Sequence, residues 1–143
     1  KTGVNPFNTQ QIVGSTVNRE QGSEGDGIGI AIVGSKIVFE LPEDPDFVYS
    51  VSPDLSFPLG TWFHIAVTYD RETLSYFYNG DLVATDTVIT EFQSAFYNHI
   101  GNSKNAESDG LPRNQFAEVI DELYLENKVR SSQEIMNYYL GTL

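Results

Sequence analysis

The sequence predicts an all-β fold, an antiparallel β-sandwich of two sheets with one short C-terminal helix. Apolar and polar residues alternate with a period of two along most of the chain, and turn-forming residues interrupt this pattern at short intervals. Helical spacing of apolar residues occurs only near the end. A succession of short strands followed by one helix favours two packed antiparallel sheets. A length of 143 residues is that of one domain.

Four strands are predicted in the first half of the chain. In the second of them, Ile28, Ile30 and Ile32 share one face and small residues occupy the other, which indicates a face pressed close to a neighbour. Gly34 and Ser35 form a two-residue turn into the third strand. Prolines between positions 42 and 60 predict a loop, because proline cannot donate to a sheet ladder. The predicted strands are residues 11–17, 27–32, 36–41 and 47–51.

The second half of the chain predicts five more strands and the helix. Residues 62–69 are apolar on both faces, which is typical of a central strand. Asn79 and Gly80 are a strong hairpin signal. Ser131 and Glu134 have the spacing of a capping box, directly before apolar residues at helical spacing. The other predicted strands are residues 74–78, 82–89, 95–100 and 116–125.

Composition excludes several classes of function. Eight Lys and Arg residues stand against twenty Asp and Glu, so a net charge of −12 repels nucleic acid. No stretch approaches the ~20 apolar residues that a membrane-spanning helix needs, so we expect no membrane insertion. The absence of cysteine excludes disulfides and thiol nucleophiles. Gly27 and Gly29 have the spacing of the first two glycines of a dinucleotide-binding fingerprint, but Ile32 occupies the position of the third. A strand follows instead of a helix, so we expect no organic cofactor.

Several motifs together resemble the laminin-G-like, concanavalin A-like jelly-roll superfamily, in both order and spacing. The motifs are residues 60–70 (GTWFHIAVTYD), 76–83 (YFYNGDLV), 100–102 (IGN), 120–124 (IDELY) and 132–135 (SQEI). The resemblance covers roughly residues 28–140 and implies two curved antiparallel sheets. Members of the superfamily include carbohydrate-binding modules, adhesion domains, pentraxin-like lectins and some glycoside hydrolases, so the fold alone does not select a function.

The resemblance also implies a domain organisation. We expect residues 1–143 to be a single domain of this superfamily. The family usually begins with a strand pair ahead of the position of Lys1. We therefore expect a domain that lacks the family's first strands or is excised from a larger protein. A neighbouring domain or chain would then supply the missing sheet edge.

Asp121 is the candidate metal ligand. It shares its period-two register with Val119 and Leu123, so a carboxylate interrupts an apolar face, and a buried charge needs a partner. Two interpretations stay open. The resemblance implies a calcium ligand, with Asn102 and Asp109 as further oxygen donors. Alternatively, Asp121 accepts hydrogen bonds from backbone amides or from His64.

No catalytic residue is predicted. Glycoside hydrolases of this superfamily place three acids at positions i, i+2 and i+4 on one strand face. Glu118 and Glu122 have the outer spacing, but Ile120 occupies the middle position and Asp121 points to the opposite face. A retaining mechanism therefore lacks its helper carboxylate, and we expect no enzymatic activity.

Binding is the function that the sequence favours. Tyr49, Asp54, Tyr97 and Asn102 supply aromatic rings and side-chain oxygens at loop edges, which suit sugar hydroxyls. We expect a non-catalytic carbohydrate-binding or adhesion module of a secreted or cell-surface protein, with a glycan or an extracellular protein as partner and with calcium as an aid to binding where Asp121 is a ligand. The alternatives are an assembly domain completed by a neighbouring chain and, less favoured, a glycoside hydrolase.

Overall fold

A computed structural model describes residues 9–15, 28–43, 46–88, 98–101 and 116–141. These residues form two compact units. The first unit contains the described residues up to Val51 together with 98–101 and 116–123, and the second contains 52–88 and 124–141. The elements are β1 (Thr9–Ser15), β2 (Gly29–Val33), β3 (Lys36–Glu43), β4 (Asp46–Val51), β5 (Ile65–Tyr69), β6 (Thr73–Tyr78), β7 (Asp81–Thr87), β8 (Asn98–Ile100) and α1 (Ser132–Gly141).

The first unit is a five-stranded antiparallel sheet in the order β4-β3-β2-β1-β8. A turn at Gly34, with φ of 60°, joins β2 to β3 as predicted. The small residue Ala31 is fully buried, which confirms a closely covered face on β2. The remaining buried apolar side chains of this unit are Val13, Ile32, Ile37, Val38 and Phe39.

The second unit contains a three-stranded antiparallel sheet in the order β5-β6-β7 and the helix α1. Its buried apolar side chains are Leu74, Tyr76, Phe77, Val88 and Ile135. Asn79 and Gly80 both have positive φ, as a tight hairpin turn requires. The capping box is confirmed, because the Ser131 amide donates to Glu134 and the Glu134 amide donates to the Ser131 hydroxyl oxygen. Among the described residues, no helix is long and apolar enough to cross a membrane.

Two strand predictions need correction. The strand expected over residues 62–69 begins at Ile65, and within the described residues it lies at an edge of its sheet rather than at the centre. Residues 116–125 form no strand. Glu122 there has a φ of 50°, which interrupts an extended backbone. An isolated extended segment gains no ladder hydrogen bonds, and no described strand pairs with this one.

The other strand boundaries agree to within a few residues where the structure describes them. Residues 16–17, 27, 89 and 95–97 of the predicted strands lie outside the described residues. The expectation of a single domain over residues 1–143 stays a prediction. The all-β fold class with one short C-terminal helix is confirmed.

Candidate functional site

The longest described segment without strand or helix before the C-terminal region is residues 52–64, named here the aromatic loop. It precedes β5 and contains prolines at positions 53 and 58, which keep it out of a sheet ladder. The rings of Phe57 and Phe63 lie 5.0 Å apart between centroids, and both contact Tyr78 of β6, at 5.6 and 6.1 Å. The Tyr78 hydroxyl donates to the Ser56 carbonyl. The loop is therefore fixed to β6 at Ser56 and Phe57 and again at Phe63.

The tip of the aromatic loop is a glycine turn. Gly60 has a φ of 68°, a backbone conformation that favours glycine. This turn directs two large apolar side chains to solvent. Leu59 is 92% exposed and Trp62 is 67% exposed. The aromatic loop thus combines an anchored base with an exposed indole at its tip.

The end of the aromatic loop is bound to the β6–β7 turn. The His64 amide donates to Asn79 Oδ1 at 2.9 Å, and the Asn79 amide donates to the His64 carbonyl at 2.9 Å. The His64 ring lies 6.0 Å from that of Tyr139 in α1. Its Nδ1 atom is buried without a hydrogen-bond partner among the described residues, and burial lowers the pKa of His64. Burial thus favours the neutral form of the His64 ring, which packs beside Tyr139 and is not an exposed base.

The charge of the second unit is acidic. Its sequence carries seven carboxylates and three basic side chains. Arg130 binds Glu126 and Glu134, and Lys128 binds Glu134. The hydrogen bond from Lys128 is the largest cause that lowers the pKa of Glu134, to about 2. Within the described part of this unit, Arg71 is the basic side chain that enters no such pair.

The predicted ligand-binding residues have separate outcomes. Asp54 lies in the aromatic loop and is exposed. Tyr49 lies on β4, opposite Glu40 in the register of the sheet. Tyr97 and Asn102 lie outside the described residues. The structure therefore places Asp54 in the same loop as the exposed indole, and the grouping of all four residues stays a prediction.

The expectation that Asp121 is buried is wrong. Its side chain is exposed, and its Oδ1 accepts the amide hydrogen of Glu122 at 2.9 Å. The apolar residues that share its sequence register are exposed as well, with Val119 at 71%. The premise failed because it assumed a strand with a covered face, and this segment forms no strand. Asp109, a proposed co-ligand, lies outside the described residues, as does Asn102. In the described ranges, no group of three or more His, Asp or Glu side chains is placed to hold a metal ion.

The carboxylates considered for glycoside hydrolysis share the same segment. Glu118 and Glu122 are both exposed. Their spacing matches that of catalytic acids only if both side chains lie on one face of a strand. Without a strand, the i and i+4 spacing gives no common face.

Sequence analysis missed Trp62 as a functional candidate, because it placed this residue inside a central strand. A signal was present in the sequence. The run Pro58 to Trp62 has glycine at the third position, which is typical of a turn. A turn here places the start of the strand after Trp62. The run is therefore better described as the tip of a loop.

Comparisons with known proteins agree on the fold. A crystal structure of residues 221–444 of an S-layer domain-containing protein from Clostridium thermocellum matches 83% of this chain at 21% identity and a TM-score of 0.50, and this chain spans 58% of it. The Ruminococcus gnavus IT-sialidase CBM40 matches 96% of the chain at 16% identity and a TM-score of 0.69, over 77% of its own length. The same CBM40 bound to α2,6 sialyllactose matches at 18% identity over 95% of this chain and 76% of its own, with a TM-score of 0.67.

Comparison with curated protein sequences gave no significant match. The family Laminin_G_3, described as the concanavalin A-like lectin/glucanases superfamily, matches residues 2–136. The match spans nearly the whole chain, and it confirms the resemblance and the jelly-roll fold class that the sequence predicted. This chain belongs to the Laminin_G_3 family of the concanavalin A-like lectin/glucanase superfamily.

Proposed function

We propose that this chain is a non-catalytic carbohydrate-binding module. The observation that carries the proposal is the likeness in fold, over 96% of the chain, to a CBM40 that was also solved with α2,3 sialyllactose. Because one fold hosts many functions, the proposal also needs a site on this chain. The aromatic loop supplies one, since it presents an exposed aromatic side chain from an anchored base.

Recognition would follow from the chemistry of sugars. A sugar has apolar C–H faces and a rim of hydroxyl groups, so it binds to aromatic rings flanked by hydrogen-bonding side chains. The aromatic loop has both kinds of group, with Trp62 at its tip and the exposed polar side chains Asp54, Ser56 and Thr61. A loop fixed before binding loses little conformational entropy when the ligand arrives.

The proposal is tested on an array of neutral and sialylated glycans, with affinities of the best binders measured by calorimetry. Saturable binding to a defined glycan set supports it. No binding to any glycan overturns it. A parallel assay for reducing ends across a polysaccharide panel tests the absence of catalysis. Release of sugar that Glu122→Gln abolishes would make the protein a hydrolase.

We also propose that the module acts outside the cell, in adhesion to glycan-bearing surfaces, with an extracellular protein as the less favoured partner. The likeness in fold to the S-layer domain-containing protein supports this setting. Tagged protein applied to cell surfaces with and without prior removal of glycans tests it. Binding that persists after glycan removal would favour a protein partner.

We also propose that calcium assists glycan binding, with Asp121, Asn102 and Asp109 together as its ligands. Calcium takes six to eight oxygen ligands in proteins. The described residues supply one of these three side chains, Asp121, so they do not by themselves form a calcium site. A thermal melt with calcium and then with chelator tests the proposal, because a ligand of the folded state raises the midpoint. A rise that Asp121→Ala removes supports it, and no shift contradicts it.

One observation favours the second candidate function, an assembly domain completed by a neighbouring chain or domain. Apart from Asp121, alternating residues of the segment 117–125 are apolar, yet the segment forms no strand and exposes Val119 and Leu125. An added strand from a partner would cover such residues. Oligomers in solution that Val119→Asp dissolves would support assembly. A monomer at all concentrations would contradict self-assembly.

A further inference from the structure

We propose that the indole of Trp62 is a stacking platform for the pyranose ring of a neutral sugar. This inference rests on the proposed carbohydrate-binding function and assigns its site and ligand class. It depends on the exposure of Trp62, the anchoring of the aromatic loop and the charge of the second unit.

The exposure of Trp62 is unusual for its chemistry. Trp62 is 67% exposed, and Leu59, in the same turn, is 92% exposed. Single exposed apolar residues are common on proteins, but one turn that exposes both a tryptophan and a leucine has the apolar character that binding sites use. No described residue accepts a hydrogen bond from the indole or stacks on it. The exposed part of the indole, about two thirds of the residue surface, is open to a ligand.

Anchoring makes this exposed ring a defined site rather than a mobile tail. Phe57, directly before the turn, and Phe63, directly after Trp62, pack on one another and on Tyr78. The amide and carbonyl of His64 are both bound to Asn79. The backbone is thus fixed on both sides of Trp62. A fixed platform binds with a smaller entropic loss than one that must be ordered.

The shape and electronics of an indole suit a sugar ring. The axial C–H groups of a pyranose carry partial positive charge, and the face of an aromatic ring carries partial negative charge. Aliphatic side chains can cover the same apolar area but have no such face. A sugar site therefore distinguishes tryptophan from leucine, whereas a general apolar contact does not.

Charge selects a neutral sugar over an anionic one. An anionic glycan needs basic side chains for its carboxylate, sulfate or phosphate. The second unit has seven carboxylates against three basic residues; Lys128 and Arg130 are already bound to Glu126 and Glu134, and Arg71 is the one basic side chain outside these pairs. The repulsion from this unit's carboxylates weakens binding of a negative ligand. We therefore assign the platform to neutral pyranoses.

The test applies wild-type protein and three variants to an array that pairs neutral oligosaccharides with sialylated counterparts, such as lactose beside α2,3-sialyllactose. We expect neutral glycans to bind and their sialylated counterparts to bind more weakly. Trp62→Ala should weaken binding about tenfold or more, as for an aromatic residue at the centre of a site. Trp62→Phe should retain most of the affinity, and Trp62→Leu should behave as Trp62→Ala.

The control variant is Tyr124→Ala, which removes another exposed aromatic ring from the second unit and should leave binding unchanged. Unaltered melting temperatures exclude unfolding as the cause of a loss. Equal binding by wild type and Trp62→Ala would overturn the stacking inference and leave the carbohydrate-binding function intact. Preference for sialylated over neutral glycans would overturn the assigned ligand class. No binding by the wild type to any glycan would overturn both the proposed function and this inference.

Discussion

The second unit contains two glycine turns with similar backbones and opposite surroundings. Gly80, in the β6–β7 turn, has a φ of 84°, and Gly60, in the aromatic loop, has a φ of 68°. A Cβ atom at Gly80 would lie 2.8 Å from the Met136 sulfur and 3.0 Å from Tyr139 Cδ1, so α1 covers this turn. Among the residues that the structure describes, no atom lies within 4 Å of a Cβ atom placed at Gly60. The two glycines therefore share a positive φ, but α1 covers only the turn at Gly80.

The difference separates a structural turn from a candidate functional one. The covered turn is held by Asn79, which bonds to both backbone groups of His64, and by the helix above Gly80. The open turn has no such cover and places Trp62 in solvent. Loops that are fixed at the base and open at the tip are where binding residues commonly lie. The following substitutions test this contrast.

The largest expected effect is that of Gly80→Ala. A side chain at positive φ costs about 1 to 2 kcal/mol, and contact with Met136 and Tyr139 adds about 1 kcal/mol of overpacking. Gly60→Ala is the matched control, because it introduces the same kind of strain without a contact and should cost about 1 kcal/mol. Urea unfolding of both variants measures the free energies. Equal losses would show that the helix does not cover Gly80.

Ser131→Ala should destabilise the protein by about 1 kcal/mol, because the hydroxyl oxygen caps the first turn of α1. Ser132→Ala, at the next exposed position, is the control and should have a smaller effect. Chemical denaturation of both variants gives the comparison. If weakening the cap also increases hydrogen exchange at Gly80, the helix protects that turn. Unchanged hydrogen exchange at Gly80 would show that the stability of the α1 cap does not affect protection of the turn.

Lowering the pH should reduce the free energy of unfolding through His64, which is bound to Asn79 of the β6–β7 turn. Burial lowers the pKa of His64 in the folded state below its ordinary value of 6.5. The unfolded chain then takes up a proton more readily, so this contribution to stability is complete above pH 6.5 and decreases as pH falls toward the folded pKa. His64→Gln should flatten the slope of unfolding free energy against pH in this window. His99 remains in that variant, so an unchanged slope would assign the effect elsewhere.

The smallest expected effect on stability is that of Trp62→Ala. Most of the indole is already in water, so its removal should change the free energy of unfolding by less than about 0.5 kcal/mol. Phe63→Ala, one position along the chain, is the control and should cost more, because Phe63 packs on Phe57 and Tyr78. Both are measured by urea unfolding. A large loss in Trp62→Ala would show that the ring is buried.

The fold was more accessible from sequence than the site. Local signals predicted the Gly34 turn, the Asn79–Gly80 hairpin and the capping box, because each depends on residues close in the chain. The sequence predicted that Asp121 is buried and that Trp62 lies in a central strand, and both residues are exposed. Burial depends on what packs against a segment, which neither alternation nor hydrophobicity reveals. Residues 116–125 alternate as a strand does, yet a strand also needs a partner. Trp62 lies three positions before the first residue of the apolar strand β5.

The accessibility of Trp62 in the folded, ligand-free protein tests the contrast between the two turns most directly. Trp62 is the chain's only tryptophan, so its fluorescence reports on this position alone. Quenching by acrylamide is measured in buffer and again in urea. An open turn predicts strong quenching in the folded state, close to that of the unfolded chain, and an emission maximum near that of tryptophan in water. A blue-shifted emission protected from acrylamide until the protein unfolds would contradict the account, because Trp62 would then be covered.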